Sequence, residues 1–446
     1  MKARYFLPVL LATVCAAVMA VGNSTVQAAA KATPAAVDVD PAAEALAQHE
    51  GVSLGEATAR INRQASQSAL ADKLAALYPA SYAGAYVDQA DHGDLVARFT
   101  KNPTDFAVRA KQFGLAGHAR LGATAQYSLA QLTLLQGRAM RTTGASLSSI
   151  NPVTNTVDLQ VADSARAAVA GRASAAAATV PGGAIRLVST GSATAQVVPL
   201  SCGEDSLSRP GCNQPVRGGQ GILTGPDSHG NSYLCTLGFS TASNVDNKLY
   251  SITAGHCFDG IATGTTVKAL VPSGQFNSYG IHWKSAHVAG TPKDWGIVAL
   301  NAGLQQEGDV YVQATNDGIR ATTRDENYAI NSVSGTTVSQ YYCKTGASGG
   351  TACGQVYATG VSTTDQYGNP ATTNMAEVFE YGQRETCEGD SGGPVYAAHQ
   401  GVGLVEGGLS SSQDSVAPDG APCYATWFYV SLSSALADMG VHLVSP

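Results

Sequence analysis

The sequence predicts an all-β domain over residues 201–446, preceded by a small α/β region over residues 31–200. Three observations carry this prediction. Apart from Cys15, every cysteine lies at or beyond Cys202, so the composition changes near residue 200. Beyond that point, short β-branched and aromatic runs are broken by Gly, Asn, Asp and Ser, as at Tyr250-Ser251-Ile252-Thr253, Ile297-Val298-Ala299-Leu300 and Val310-Tyr311-Val312. Short strands with frequent turns are the pattern of a sandwich or barrel. Before that point the chain is Ala-rich, with apolar residues at helical spacing.

The N-terminus reads as a secretory signal over residues 1–30. Lys2 and Arg4 precede an apolar run from Phe6 to Val21, and small residues follow at Ala28, Ala29 and Ala30. The run is short for a membrane span, so the expected product is extracellular. Cys15 would leave with the signal. The remaining eight cysteines are Cys202, Cys212, Cys235, Cys257, Cys343, Cys353, Cys387 and Cys423. An even set in an exported chain reads as disulfides. Eight cysteines allow on the order of a hundred pairings, so the count alone fixes none.

Between the signal and residue 200 the expected elements follow in order. Ala42, Ala45 and Leu46, then Ala57, Ile61 and Ala65, predict helix over 41–76. A second helix is predicted over 125–140, and an Ala-rich one near 163–179. Strands are predicted at 95–99, 157–161 and 184–188. The β domain closes with a helix over 431–440.

The net charge is −7 and only 13% of residues are charged. No Lys/Arg cluster stands out, so nothing favours nucleic acid or an anionic membrane as a partner. No His-Glu-x-x-His or cofactor motif occurs, so neither metal nor cofactor is expected.

The chemistry concentrates in three places. Cys387-Glu388-Gly389-Asp390-Ser391-Gly392-Gly393-Pro394 sets a serine among residues whose N–H groups can crowd a negative oxygen. Thr253-Ala254-Gly255-His256-Cys257 supplies a base, and Asp294-Trp295-Gly296-Ile297-Val298-Ala299-Leu300 a carboxylate. A serine hydroxyl is a weak nucleophile; it needs a base, and that base needs a third group to orient it. The order His256, Asp294, Ser391 is one of the arrangements in which such triads occur. The N–H groups of Gly389 and Ser391 are the expected oxyanion donors, each worth about 10²–10³ in rate. Asp246 precedes His256 and breaks the order. Asp309 follows Glu307-Gly308 and lacks the Trp-Gly that follows Asp294.

On these motifs, together with Cys235-Thr236-Leu237-Gly238-Phe239 and Trp427-Phe428 before the last helix, residues 216–446 resemble the chymotrypsin-like serine proteases. The likeness is to the bacterial secreted branch of streptogrisins and α-lytic protease. The resemblance implies two six-stranded antiparallel β-barrels with the site between them. It also implies the pairs Cys235–Cys257, Cys343–Cys353 and Cys387–Cys423, which leaves Cys202–Cys212. By the same resemblance Glu385, six residues before the serine, floors the primary pocket. Glu406-Gly407-Gly408 is the strand that adds to the substrate backbone.

Glu406 stands where the family usually has serine, which puts the hydrogen bond to Asp294 in question. Two carboxylates near the pocket would favour Lys or Arg in the substrate. Residues 31–200 then correspond to a pro-region, acting as folding template and temporary inhibitor, with self-cleavage between about 195 and 216. The expected protein is a monomeric secreted serine endopeptidase acting on proteins or peptides. The alternative is an inactive protease-like binding protein. An esterase fits less well, because its usual fold places the serine before both partners.

Overall fold

Local chemistry starts the first helix. Pro41 occupies its first turn, and the Asp40 carboxylate accepts the Ala42 N–H at 2.8 Å. The helix Pro41–Glu50 stops at Gly51, which turns left-handed at φ 66°. A second helix, Leu54–Leu77, starts from Ser53, whose hydroxyl accepts the Glu56 N–H. The stretch expected to be helical over 41–76 is thus helical in two segments. Gly51 adopts the left-handed backbone that ends a helix without steric cost.

This computed structural model describes residues 40–143, 145, 147–161, 163–177, 184–189, 197–199, 216–270, 276–313, 325–364, 371–380, 386–417 and 421–446. The expected signal segment, Glu385 and the expected pair Cys202–Cys212 lie outside the described residues. The other N-terminal elements fall near their predicted places. They are the helices Leu129–Thr143 and Arg166–Ala177, and the strands Asp94–Phe99, Thr156–Val161 and Ile185–Ser189.

Beyond residue 215, strand follows strand. One sheet runs through Leu234–Thr236, Gly221–Leu223, Thr266–Leu270, Phe276–His287, Asp294–Leu300, Leu249–Thr253, Phe239–Ser243 and Val441–Leu443. A second runs through Tyr341–Gly346, Pro394–Ala397, Gln400–Leu409, Thr426–Ser431, Met375–Glu380 and Gly350–Thr363. It then continues into Leu147–Asn151, Thr156–Val161 and Ile185–Ser189. The β elements form a closed six-stranded barrel and a half-barrel, in agreement with the expected chymotrypsin-like two-barrel fold.

Strands from both sides of residue 200 thus share one sheet, with Thr359 opposite Ile150 and Thr363 opposite Leu147. Residues Val39–Pro446 make one compact unit. Ala42, Leu46, Ala57 and Ile61 of the first two helices join Tyr341, Val356, Val395 and Trp427 in a single core. A separate core holds Ile222, Leu237, Cys257, Phe258 and Val298.

Among the described residues three disulfides are formed, Cys235–Cys257, Cys343–Cys353 and Cys387–Cys423. The last helix, Leu432–Met439, is capped by Ser431 and ended by Gly440 at φ 71°. Its Asp438 receives the Lys293 ammonium at 2.7 Å and the Trp295 indole N–H at 2.9 Å. That clamp holds the head of the strand Asp294–Leu300. Among the described residues no helix is long and apolar enough to cross a membrane.

Candidate active site

The strand Leu249–Thr253 delivers a single helical turn, His256–Phe258. Gly255 must precede it as glycine. A Cβ there would sit 2.4 Å from the Ala286 carbonyl oxygen and 2.8 Å from the Trp295 nitrogen. The close approach seats His256 against the first residue of the neighbouring strand. The His256 backbone N–H donates to Asp294 Oδ1 at 2.7 Å, and Nδ1 lies 2.8 Å from Asp294 Oδ2. A carboxylate facing Nδ1 assigns the proton to that nitrogen and leaves Nε2 as the acceptor.

Asp294 is fully buried. Burial opposes its charge, but His256 outweighs burial and holds the carboxyl below its ordinary range. Burial likewise works against the imidazolium, yet Asp294 prevails and His256 binds its proton more tightly than an ordinary histidine. Among the described residues Nε2 has no hydrogen-bond partner. Asp246 pairs with Lys248 at 2.8 Å, and Asp309 lies in the strand Gln306–Gln313 opposite Ala329. Of the three candidate carboxylates, Asp294 is the one bonded to His256.

The serine loop is held from several sides. Its start, Thr386–Cys387, pairs with Pro422–Tyr424, and the disulfide joins Cys387 to the opposite Cys423. Gly389 and Gly392 take φ values of 100° and 81°, where any side chain would be strained. A Cβ on Gly392 would also sit 1.9 Å from Thr253 Oγ1 and 2.5 Å from the Ala254 nitrogen, so the serine loop presses on the histidine loop. Thr236 bridges them. Its N–H donates to the Ser391 carbonyl at 2.8 Å and its hydroxyl to the Gly389 carbonyl at 2.7 Å. Cys257 Sγ lies 4.0 Å from the same Ser391 carbonyl. Ser391 is itself fully buried.

Asp390 is the loop's internal anchor. Its Oδ1 accepts the N–H groups of Ser348 and Gly349, each at 2.9 Å, and its Oδ2 accepts that of Cys387 at 2.9 Å. The ammonium of Lys344 closes on Oδ2, and both side chains are fully buried. Sequence reasoning missed Lys344. The available signal was a cation inside the otherwise apolar run Tyr341-Tyr342-Cys343, where an unpaired charge is untenable. Thr236 and His287 were also missed, and neither carries a local signature. His287 Nδ1 bonds Asp259 at 2.8 Å, and that bond first among several causes pushes it up to about 9.

Glu406 is buried as well. Burial first, then Asp294, push its carboxyl up to about 7, while His256 pulls the other way. Gly407 and Gly408 pair antiparallel with Pro199 and Val198, as does Leu409 with Val197. The expected substrate strand is thus occupied by a segment of this chain's own N-terminal half. Among the described residues no group of three or more His, Cys, Asp or Glu is placed to hold a metal ion.

Comparison with solved structures finds Thermobifida fusca Protease A at 20% identity, covering 52% of this chain and 99% of that one, with a TM-score of 0.38. Nocardiopsis Protease is found at 19% identity, covering 52% and 99%, with a TM-score of 0.37. Cellulomonas bogoriensis chymotrypsin is found at 21% identity, covering 52% and 99%, with a TM-score of 0.36. No curated protein sequence matches. The family model described as Trypsin matches residues 226–425, a span that contains His256, Asp294 and Ser391. Residues 226–425 therefore belong to the trypsin family, as a serine endopeptidase domain.

Proposed function

We propose that this chain is the precursor of a secreted serine endopeptidase, with His256, Asp294 and Ser391 as its triad and residues 31–200 as its pro-region. The observation that carries the reading is the doubly bonded His256–Asp294 pair, set beside a serine loop braced by Thr236, Asp390 and Lys344.

In this reading the Ser391 hydroxyl attacks the substrate carbonyl as His256 Nε2 takes its proton. Asp294 keeps the Nδ1–H in place and stabilises the imidazolium. The N–H groups of Gly389 and Ser391 receive the developing oxyanion. His256 then returns the proton to the departing amine, and water repeats the sequence on the acyl-enzyme. Nε2 closes on the serine hydroxyl as substrate seats, as catalytic hydrogen bonds often do.

Support for the pro-region reading is the segment Val197–Pro199, laid antiparallel on Gly407–Leu409 as an added strand. It would block the substrate strand until the chain is cut beyond it. The β domain also joins distant segments, such as Thr241 with Leu443. Such long-range pairing folds slowly and gains from a template. A preference for Lys or Arg would rest on Glu385 and Glu406.

A fluorophosphonate probe tests the reading. The processed protein should label at Ser391, and S391A should neither label nor cut itself. A folded, processed wild type that stays unlabelled would sink the enzyme and leave the binding-protein alternative.

A further inference from the structure

A second histidine–aspartate pair stands beside the first, and the triad chemistry does not use it. His287 ends the strand Phe276–His287, where its backbone pairs with that of Asp294. Asp259 directly follows the turn His256–Phe258. His287 Nδ1 lies 2.8 Å from Asp259 Oδ2, and the His287 ring centroid lies 6.0 Å from that of His256, edge to face. Unlike the inner pair, this one meets solvent. The side chains of His287 and Asp259 are 29% and 60% exposed, against 8% for His256.

A carboxylate on Nδ1 favours the charged imidazolium. The Asp259 bond first, with Asp294 and Glu406 adding to it against partial burial, pushes His287 up to about 9. Lys293, the nearest cation along the chain, is tied to Asp438. His287 is therefore a cation at neutral pH, with a donor on each ring nitrogen. Asp259 takes the Nδ1–H. The Nε2–H has no partner among the described residues.

Backbone contacts put this donor on the side of the cleft where the substrate's acyl half lies. In the loop after His287, the Gly290 N–H donates to the Ala371 carbonyl at 2.6 Å, and the Thr291 carbonyl accepts the Thr373 N–H at 3.0 Å. Thr372, between those two, hydrogen-bonds Glu406 through its side chain. Glu406 leads straight into Gly407, opposite Pro199. One wall thus runs from His256 past His287 and Thr372 to the head of the strand that carries Val197–Pro199.

We propose that His287 is a specificity-determining residue, whose Nε2–H receives a carboxylate side chain of the substrate on the acyl side of the bond cut. The proposal deepens the proteolytic reading above and rests on it. The segment Val197-Val198-Pro199 carries no carboxylate, so the chain's own strand does not make this contact. The His287–Asp259 pair is neutral as a whole. Its pull on a substrate is therefore short-ranged and needs direct contact with the free N–H. At a site this exposed, a charge-assisted hydrogen bond is worth about three- to tenfold in affinity.

Paired peptides test it on the processed enzyme. The members of each pair differ only in Glu against Gln, placed in turn at each of the three residues before the bond cut. At one of these positions the Glu peptide should have a kcat/KM about three- to tenfold higher. H287Q should bring that ratio to about one, and H287K, which restores a positive charge, should recover part of it. Because the ratio compares two substrates on one enzyme, any general loss of folding or of His256 alignment cancels. In the wild type the preference should hold from pH 6 to pH 8. In D259N it should fade over that range, as His287 returns toward an ordinary histidine. A wild type that cuts Glu peptides no faster than Gln peptides at all three positions overturns the proposal. So does a preference that survives in H287Q, or one that D259N leaves intact at pH 8. Those outcomes leave the proteolytic reading standing. A processed wild type that cuts no peptide and takes no fluorophosphonate ends that reading, and the proposal with it.

Discussion

Removing the ammonium of Lys344 should damage both stability and the oxyanion site. Lys344 and Asp390 are each fully buried and in contact. In K344M, Asp390 keeps the N–H groups of Cys387, Ser348 and Gly349 but loses its counter-charge. It has no room to swing away. A Cβ on Gly346 would lie only 2.0 Å from the Asp390 carboxyl carbon, so the strand already packs against it. Breaking a buried pair from one side costs about 3–5 kcal/mol. Asp390 stands between Gly389 and Ser391, so a shift of its carboxylate displaces both expected oxyanion donors. Loss of one such donor lowers the rate about 10²–10³-fold.

The stability part is read by urea unfolding of full-length K344M in an S391A background, which prevents self-digestion. The rate part is read by fluorophosphonate labelling of processed K344M. K344M/D390N removes both charges but leaves an amide NH2 where one carboxylate oxygen accepted a backbone N–H, so it should recover only part of the stability, and the double-mutant cycle measures the coupling of the pair. A K344M protein within about 1 kcal/mol of its parent, below the range expected for a buried pair, and labelling at the parent rate, would refute the anchoring argument.

Three further outcomes follow from the same geometry. Burial pushes Glu377 up to about 7, with Gln160 at 3.4 Å as a weak partner and Asp158 adding repulsion. A folded value raised above the unfolded one means stability is full at low pH and falls as pH rises toward 7. E377Q should therefore match the parent near pH 4 and exceed it by about 3 kcal/mol at pH 8 in urea unfolding; equal stability at both pH values would contradict the burial argument. Asp40 caps the first helix and also accepts from Tyr328 at 2.6 Å and from the Ala398 N–H at 2.5 Å. D40A should cost about 2–4 kcal/mol in full-length S391A, cap and buried bonds together, and a midpoint shift no larger than a surface substitution gives would show the contact to be idle. With Val197–Pro199 as the paired segment, N-terminal sequencing of the processed enzyme should find a start just beyond Pro199, and a start upstream of Val197 would count against the blocking role.

The legible parts of the sequence were those whose chemistry is local. The Gly-rich serine loop, the Gly255-His256-Cys257 turn and the Asp294-Trp295-Gly296 strand head each carry their signature within a few residues. Caps such as Ser431 and Gly440 likewise set helix ends without reference to distant chain. The helical character expected over 41–76 is present, divided at Gly51, where the backbone turns left-handed.

The sequence by itself therefore determined the residue types, their order and the strand-rich character of the second half. Tertiary structure alone decided that Lys344 neutralises Asp390. It also decided that Glu406 is buried, and that Val197–Pro199 lies on Gly407–Leu409. The physical reason is range. Propensity, capping and turn chemistry act over a few residues, whereas ionisation, burial and strand pairing depend on which distant segments the folded chain brings into contact.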